Sequence, residues 1–168
     1  MENFVAILRG DSKAVKGGNG KVLRSTKNSM VFINTFSNYG NEVIGFASGN
    51  LNVSLFNETL RYMHTYQLYK EMVFYIEGSN GQSMFRNGVL TDEMNIYAAT
   101  SANFIESSWA THCPNDNLTV HGVKFDVCLA SQFSAAWMED IEKRDISKFT
   151  LAQQFDVILE GITSSHPQ

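Results

Sequence analysis

Two short, unbroken apolar runs constrain this chain more than any other feature: Met30-Val31-Phe32-Ile33 and Met72-Val73-Phe74-Tyr75-Ile76. Four or five apolar residues without polar alternation fit a strand covered on both faces, and such strands belong to parallel sheets packed by helices. Between the runs, from 54 to about 69, Leu55, Phe56, Leu60, Met63 and Tyr66 recur at three- and four-residue spacing. That spacing predicts a helix with one buried stripe. Gly78-Ser79-Asn80-Gly81 ends the second run. A third strand is expected over 94–99, and helices from 131 to about 143 and from 149 to about 162. Strand, helix, strand, turn, strand, helix describes a parallel α/β sheet. In such sheets function gathers at the carboxyl ends of the strands. Here those ends are Ser37-Asn38-Tyr39, Glu77-Gly78-Ser79-Asn80 and Thr100-Ser101-Ala102-Asn103.

Composition narrows the function. The chain has 168 residues, 43% hydrophobic and 18% charged, so it can bury a core and long-range disorder is excluded. One domain over 1–168 is expected. Thirteen basic against 17 acidic residues give a net charge of −4, without the basic surplus of a general nucleic-acid binder. No apolar run approaches the roughly 18–20 residues of a membrane span. Met1-Glu2-Asn3-Phe4 does not open a signal peptide on the chain as written. Lys16-Gly17-Gly18-Asn19-Gly20-Lys21 resembles a phosphate loop only superficially, because Val22 stands where a hydroxyl residue is needed. No cofactor or metal is expected.

Cys113 and Cys128 are either two free thiols or one loop-closing disulfide of an oxidising compartment. Asn52, Asn57 and Asn117 head N-x-[S/T] triplets and are candidate glycosylation sites.

Several longer motifs carry a resemblance to a known family. They are Asn3-Phe4-Val5-Ala6-Ile7-Leu8-Arg9-Gly10-Asp11, Met72-Val73-Phe74-Tyr75-Ile76-Glu77, Asn95-Ile96-Tyr97-Ala98, Glu106-Ser107-Ser108-Trp109 and Trp137-Met138-Glu139-Asp140. In this order, and nearly without gaps, they resemble the legumain family of asparaginyl endopeptidases. The resemblance implies a caspase-like α/β fold with helices on both faces of a parallel sheet. It implies a cysteine peptidase that cleaves after asparagine in lysosomes or vacuoles. The cysteine pair resembles that of the plant vacuolar processing enzymes, where the two cysteines bracket a loop. That resemblance favours the Cys113–Cys128 disulfide and a lysosomal, vacuolar or secretory location.

The resemblance also locates a site, and the site is altered. The family nucleophile is the cysteine of E-A-C-E-S-G-S; here the segment reads Glu77-Gly78-Ser79-Asn80-Gly81-Gln82-Ser83, so Ser79 holds the position. The family base is the histidine of D-H-G; Asn38 holds that position, and Tyr39 replaces the glycine after it. Asparagine cannot take a proton near neutral pH, and a serine needs a stronger base than a cysteine does. The four histidines, His64, His112, His121 and His166, are expected away from the strand ends.

The specificity pocket implied by the family keeps Glu77 and Ser107–Ser108, but its aspartate position is Ser131. The pocket arginine falls in a family segment upstream of Met1. Each position also has a structural reading. Glu77 would be a buried strand-end carboxylate, and Ser107 and Ser108 loop caps. Ser79 and Asn38 would be turn formers, and Tyr62, Tyr66 and Tyr69 core or helix-surface residues.

Against the family, two N-terminal strands are missing, which leaves the Met30–Phe36 strand with an unpaired apolar edge. A legumain-like homologue that is proteolytically inactive is therefore expected, with a peptide or protein ligand and no nucleic-acid or membrane partner. An endopeptidase of altered mechanism using Ser79 and a non-functional truncated product are the alternatives. The oligomeric state is left open.

Overall fold

In the computed structural model of the chain, residues 1–17, 19–36, 41–86, 88–114 and 119–168 are described. Helix α1 (Glu2–Leu8) is followed by strands β1 (Met30–Phe36), β2 (Val43–Phe46) and β3 (Gly49–Asn52), and by helix α2 (Val53–Thr65). Strands β4 (Glu71–Glu77), β5 (Ile96–Thr100), β6 (Ala110–Thr111), β7 (Thr119–Val120), β8 (Val123–Lys124) and β9 (Ala130–Ser131) lead to helices α3 (Gln132–Lys143) and α4 (Leu151–Gly161).

The two apolar runs pair with each other. β1 and β4 are parallel, with Met30 opposite Glu71 and Phe36 opposite Glu77. β5 adds on the other side of β4, also parallel. The order among the described strands is β1-β4-β5. β4 is the central strand, and its side chains divide between two cores, as the two-residue period of a strand requires. Met72, Phe74 and Ile76 pack with Phe56, Leu60 and Met63 of α2. Val73 and Tyr75 pack with Phe133 of α3 and Ile158 of α4. This is the parallel α/β sandwich with helices on both faces that the sequence implied.

β1 departs from its expectation. Only Val31 and Thr35 are buried, while Met30 is 62% exposed, Phe32 52% and Phe36 68%. β1 is an edge strand among the described residues, and on its second face the ring of Phe32 lies 5.8 Å from that of Trp137. Apolar continuity marked a strand correctly, but it did not show that one face is largely exposed among the described residues.

Element ends follow capping chemistry. Asn52 starts α2 by accepting a hydrogen bond from Leu55 N–H at 2.9 Å. The helix stops at Thr65, four residues before the expected end, because Gln67 turns into the left-handed region at φ 52° and Leu68 N–H bonds back to Met63 O. Tyr69 then leaves the helix to be buried, its hydroxyl donating to Met94 O at 2.7 Å. The third strand starts at Ile96 rather than 94, since Asn95 is left-handed at φ 51°. Thr150 and Gln153 form a reciprocal capping box at the start of α4.

Three small strand pairs had no signal strong enough to be expected. β2–β3 is a hairpin that sinks Ile44 and Leu51 into the α2 core. β6 pairs with β9 across the cysteine-bracketed loop. β7–β8 is a two-residue hairpin through His121 (φ 51°) and Gly122 (φ 79°). Two positive φ angles are what such a turn needs.

Candidate functional site

β4 ends at Glu77, and the chain turns sharply through Gly78, Ser79 and Asn80, the last at φ 57°. The turn is pinned to the end of β5: Gly78 N–H donates to Ser101 Oγ at 2.9 Å, and Ser101 N–H to Ile76 O at 3.0 Å. A Cβ at Gly81 would come within 3.2 Å of Thr100 Cβ, so a side chain there would crowd the end of β5. Asn80 N–H reaches Glu106 O at 2.8 Å, and Asn80 Nδ2 reaches Phe104 O at 3.0 Å, tying the turn to the loop after β5.

That loop and the start of α3 complete a pocket of about 220 Å³, lined by Phe36, Ser79, Ser108, Trp109, Ala110 and Ser131. Three of the expected site positions, Ser79, Ser108 and Ser131, therefore share one cavity. Ser107 is exposed and does not line it. Asn38 lies outside the described residues, as does the sequon Asn117. Asn52 is the exposed cap of α2, and Asn57, within that helix, accepts from Arg61 Nε at 2.9 Å.

Glu77 sits directly behind the cavity and is 1% exposed. Its Oε2 accepts hydrogen bonds from the hydroxyls of Ser131 and Ser134, the latter at 3.0 Å, and from Ser134 N–H at 3.1 Å. Its Oε1 is buried without a partner among the described residues. Ser131 is also the N-cap of α3, so the Glu77 carboxylate sits at the N-terminus of that helix, where the backbone N–H groups and the dipole favour an anion. These contacts spend one carboxylate oxygen on joining strand β4 to helix α3.

Ser79 has no base beside it in the described structure. Its Oγ accepts from Ser108 N–H at 3.2 Å, and no histidine among the described residues bonds to it. His64 lies on the exposed side of α2. His121 is in the β7–β8 turn, and His112 pairs with Glu139 at 3.6 Å. His166 corrects an expectation. Near the end of the sequence, it is brought to the strand ends, because Gln168 exchanges two backbone hydrogen bonds with Thr100, at 2.8 and 3.0 Å. His166 Nδ1 lies 2.8 Å from Glu106 Oε2. Burial raises the Glu106 carboxyl, but hydrogen bonds from His166 and from backbone N–H groups outweigh it, and the net shift is downward. Sequence reasoning had no way to find this pair, because 60 positions separate its members.

Cys113 and Cys128 are joined in a disulfide that closes the loop carrying β7 and β8. Among the described residues, no cluster of three or more histidine, cysteine or carboxylate side chains is placed to hold a metal ion, and no helix is long and apolar enough to cross a membrane.

A sequence model of the peptidase C13 family matches residues 1–168. The chain is 37% identical over 169 residues to the vacuolar-processing enzyme delta-isozyme of Arabidopsis thaliana, covering 100% of this chain and 36% of that protein. It is 39% identical over 166 residues to legumain of Mus musculus, covering 98% of this chain and 36% of the relative. It is 39% identical over 167 residues to legumain of Homo sapiens, with the same two coverages. The chain thus spans about a third of the length of the curated relatives it matches.

Proposed function

The chain belongs to the peptidase C13 family, and from that premise we propose that it is a proteolytically inactive member that retains a peptide-sized pocket without its cleavage chemistry. One observation carries the reading. The side chain at the nucleophile position is a serine whose oxygen accepts from Ser108 N–H, and no imidazole among the described residues reaches it. An unactivated hydroxyl is a poor nucleophile at neutral or acidic pH. Losing nucleophile and base together costs several orders of magnitude in rate. Asn38 at the base position adds a second, independent loss.

The pocket supports the same reading. Ser131 stands where the family resemblance implies an aspartate, and it binds Glu77 instead of leaving that carboxylate to a ligand. A pocket without its paired charges has little means of selecting asparagine. What remains is a cavity flanked by the exposed rings of Phe36 and Trp109, suited to holding a peptide or protein segment. The disulfide favours an oxidising compartment, and the name of the Arabidopsis relative favours a vacuolar one among the vacuolar, lysosomal and secretory locations that the family resemblance implies.

The test pairs turnover with binding. Asparagine-containing fluorogenic peptides are offered to the wild type and to the double variant Asn38→His/Ser79→Cys, and Trp109 fluorescence reports occupancy of the cavity. Neither protein is expected to turn the peptides over. Turnover by the double variant would show that the pocket still selects and orients a substrate, and would overturn this account of it.

A further inference from the structure

Segment 106–112 forms one wall of the cavity, to which it supplies Ser108, Trp109 and Ala110. A histidine–carboxylate pair stands at each end of the segment. At its start, Glu106 Oε2 lies 2.8 Å from His166 Nδ1, and Glu106 Oε1 accepts from the backbone N–H groups of His166 and Asn103. The backbone oxygen of Glu106 accepts from Asn80 N–H, in the turn that carries Ser79. At its end, His112 Nε2 lies 3.6 Å from Glu139 Oε1 of α3. Between the pairs the wall rests on little else: Ser108 N–H bonds to Ser79 Oγ, and β6 pairs with β9 over two residues. So few contacts leave a segment free to open locally. The His166 and His112 side chains are 77% and 50% exposed, so both exchange protons with solvent.

We propose that the two pairs are a pH-dependent clamp on this wall, holding segment 106–112 in acid and loosening it as pH rises through the histidine range. Hydrogen bonding from Lys143 leads in holding the Glu139 carboxyl below its ordinary range. The Glu106 carboxyl is also held down, the bonds from His166 and backbone outweighing its burial. Of these four groups, only the histidines change charge between about pH 5 and 8. The other charges facing them keep their state there. Lys143 and Asp140 line the cavity beside His112, and Asp140 is bonded to Arg144 and Gln154. Arg86 reaches the loop of Glu106, 4.9 Å from the Phe104 ring centroid. An imidazolium attracts its carboxylate, so this stabilisation is present at low pH and lost as pH rises. At 3.6 Å the His112 pair has no hydrogen bond to keep once the ring is neutral. The His166 pair loses the charge that strengthens its bond. Tighter binding of a peptide in acid is a consequence that rests on the cavity being the peptide site proposed above.

Amide hydrogen exchange of segment 106–112, read by mass spectrometry at about pH 5.5 and 7.5 and corrected for intrinsic exchange, tests the clamp without any ligand. Exposed pairs are individually weak, so protection about three- to tenfold higher at the lower pH is expected. His112→Gln/His166→Gln is expected to show the same protection at both values, with circular dichroism unchanged. Protection independent of pH in the wild type, or the same pH dependence in the double variant, would overturn the proposal. Should that variant not fold, the wild type in about 1 M sodium chloride decides, because salt screens exposed pairs: a pH dependence undiminished by salt would overturn it. Asparagine-containing peptides, followed by Trp109 fluorescence at the same two pH values, separate this inference from the reading it rests on. Protection that changes as expected with no peptide bound at either pH would overturn the peptide site and leave the clamp standing.

Discussion

Ser131 donates its hydroxyl hydrogen to Glu77 and, with the same oxygen, caps helix α3. One side chain thus ties the end of the central strand to the start of a helix 54 residues later in the sequence. The Glu77 carboxylate is thereby part of the fold's internal joinery. The same contact holds Ser131 in the cavity wall beside Ser79.

Removing this contact should be costly. Ser131→Ala deletes a helix cap and leaves the buried Glu77 short of a donor, so a loss of about 1–3 kcal/mol is expected. Thermal unfolding of the variant checks this. A melting temperature equal to wild type would mean that the pairing contributes nothing.

The two faces of the sheet should respond unequally. Phe74 is fully buried, with rings of Phe56 and Phe85 at 5.1 and 6.2 Å. Phe74→Ala is expected to cost about 3–5 kcal/mol. Phe32 is half exposed, and Phe32→Ala should cost about 1 kcal/mol. Urea unfolding measures both.

The disulfide closes a loop whose ends lie 15 positions apart. A loop of that size predicts about 3 kcal/mol of stabilisation. Cys113→Ser/Cys128→Ser should lower the urea midpoint accordingly, and dithiothreitol should lower the wild-type midpoint but not that of the double variant.

Asp140 is buried and receives two hydrogen bonds from Arg144, at 2.5 and 2.6 Å, and one from Gln154 at 3.2 Å. The Arg144 hydrogen bonds lead in holding its carboxyl below the ordinary 3.8. A lowered folded-state value means stability that is present above the unfolded value and lost as pH falls through the folded one. The wild type should therefore exceed Asp140→Asn in melting temperature at pH 7. The gap should narrow as pH falls below about 4. A gap independent of pH would rule out ionisation as the source.

How much of this was legible in the sequence depended on distance along the chain. The middle of β4 was legible, because the five apolar residues Met72–Ile76, packed between two layers, leave an uninterrupted apolar signature. The turn at Ser79 was located from that strand end. The end of α2 was overestimated, because Gln67 adopts a left-handed conformation with no glycine to announce it. The edge position of β1 among the described residues was expected from the family resemblance, but its exposed face was not, since apolar continuity does not say which faces are covered. Ser79, Ser108 and Ser131 were singled out through the family resemblance, but their meeting in one cavity is a tertiary fact. The pairs Ser131–Glu77 and His166–Glu106 join residues more than 50 positions apart, and no local pattern encodes them.

The most direct test of the central claim is a turnover assay of the wild-type chain beside Ser79→Ala. Asparagine-containing peptides are incubated with each protein from pH 4 to 8, and the products are read by mass spectrometry. The account predicts no cleavage after asparagine by either protein at any pH. Cleavage after asparagine by the wild type, abolished by Ser79→Ala, would contradict it and would make Ser79 a working nucleophile.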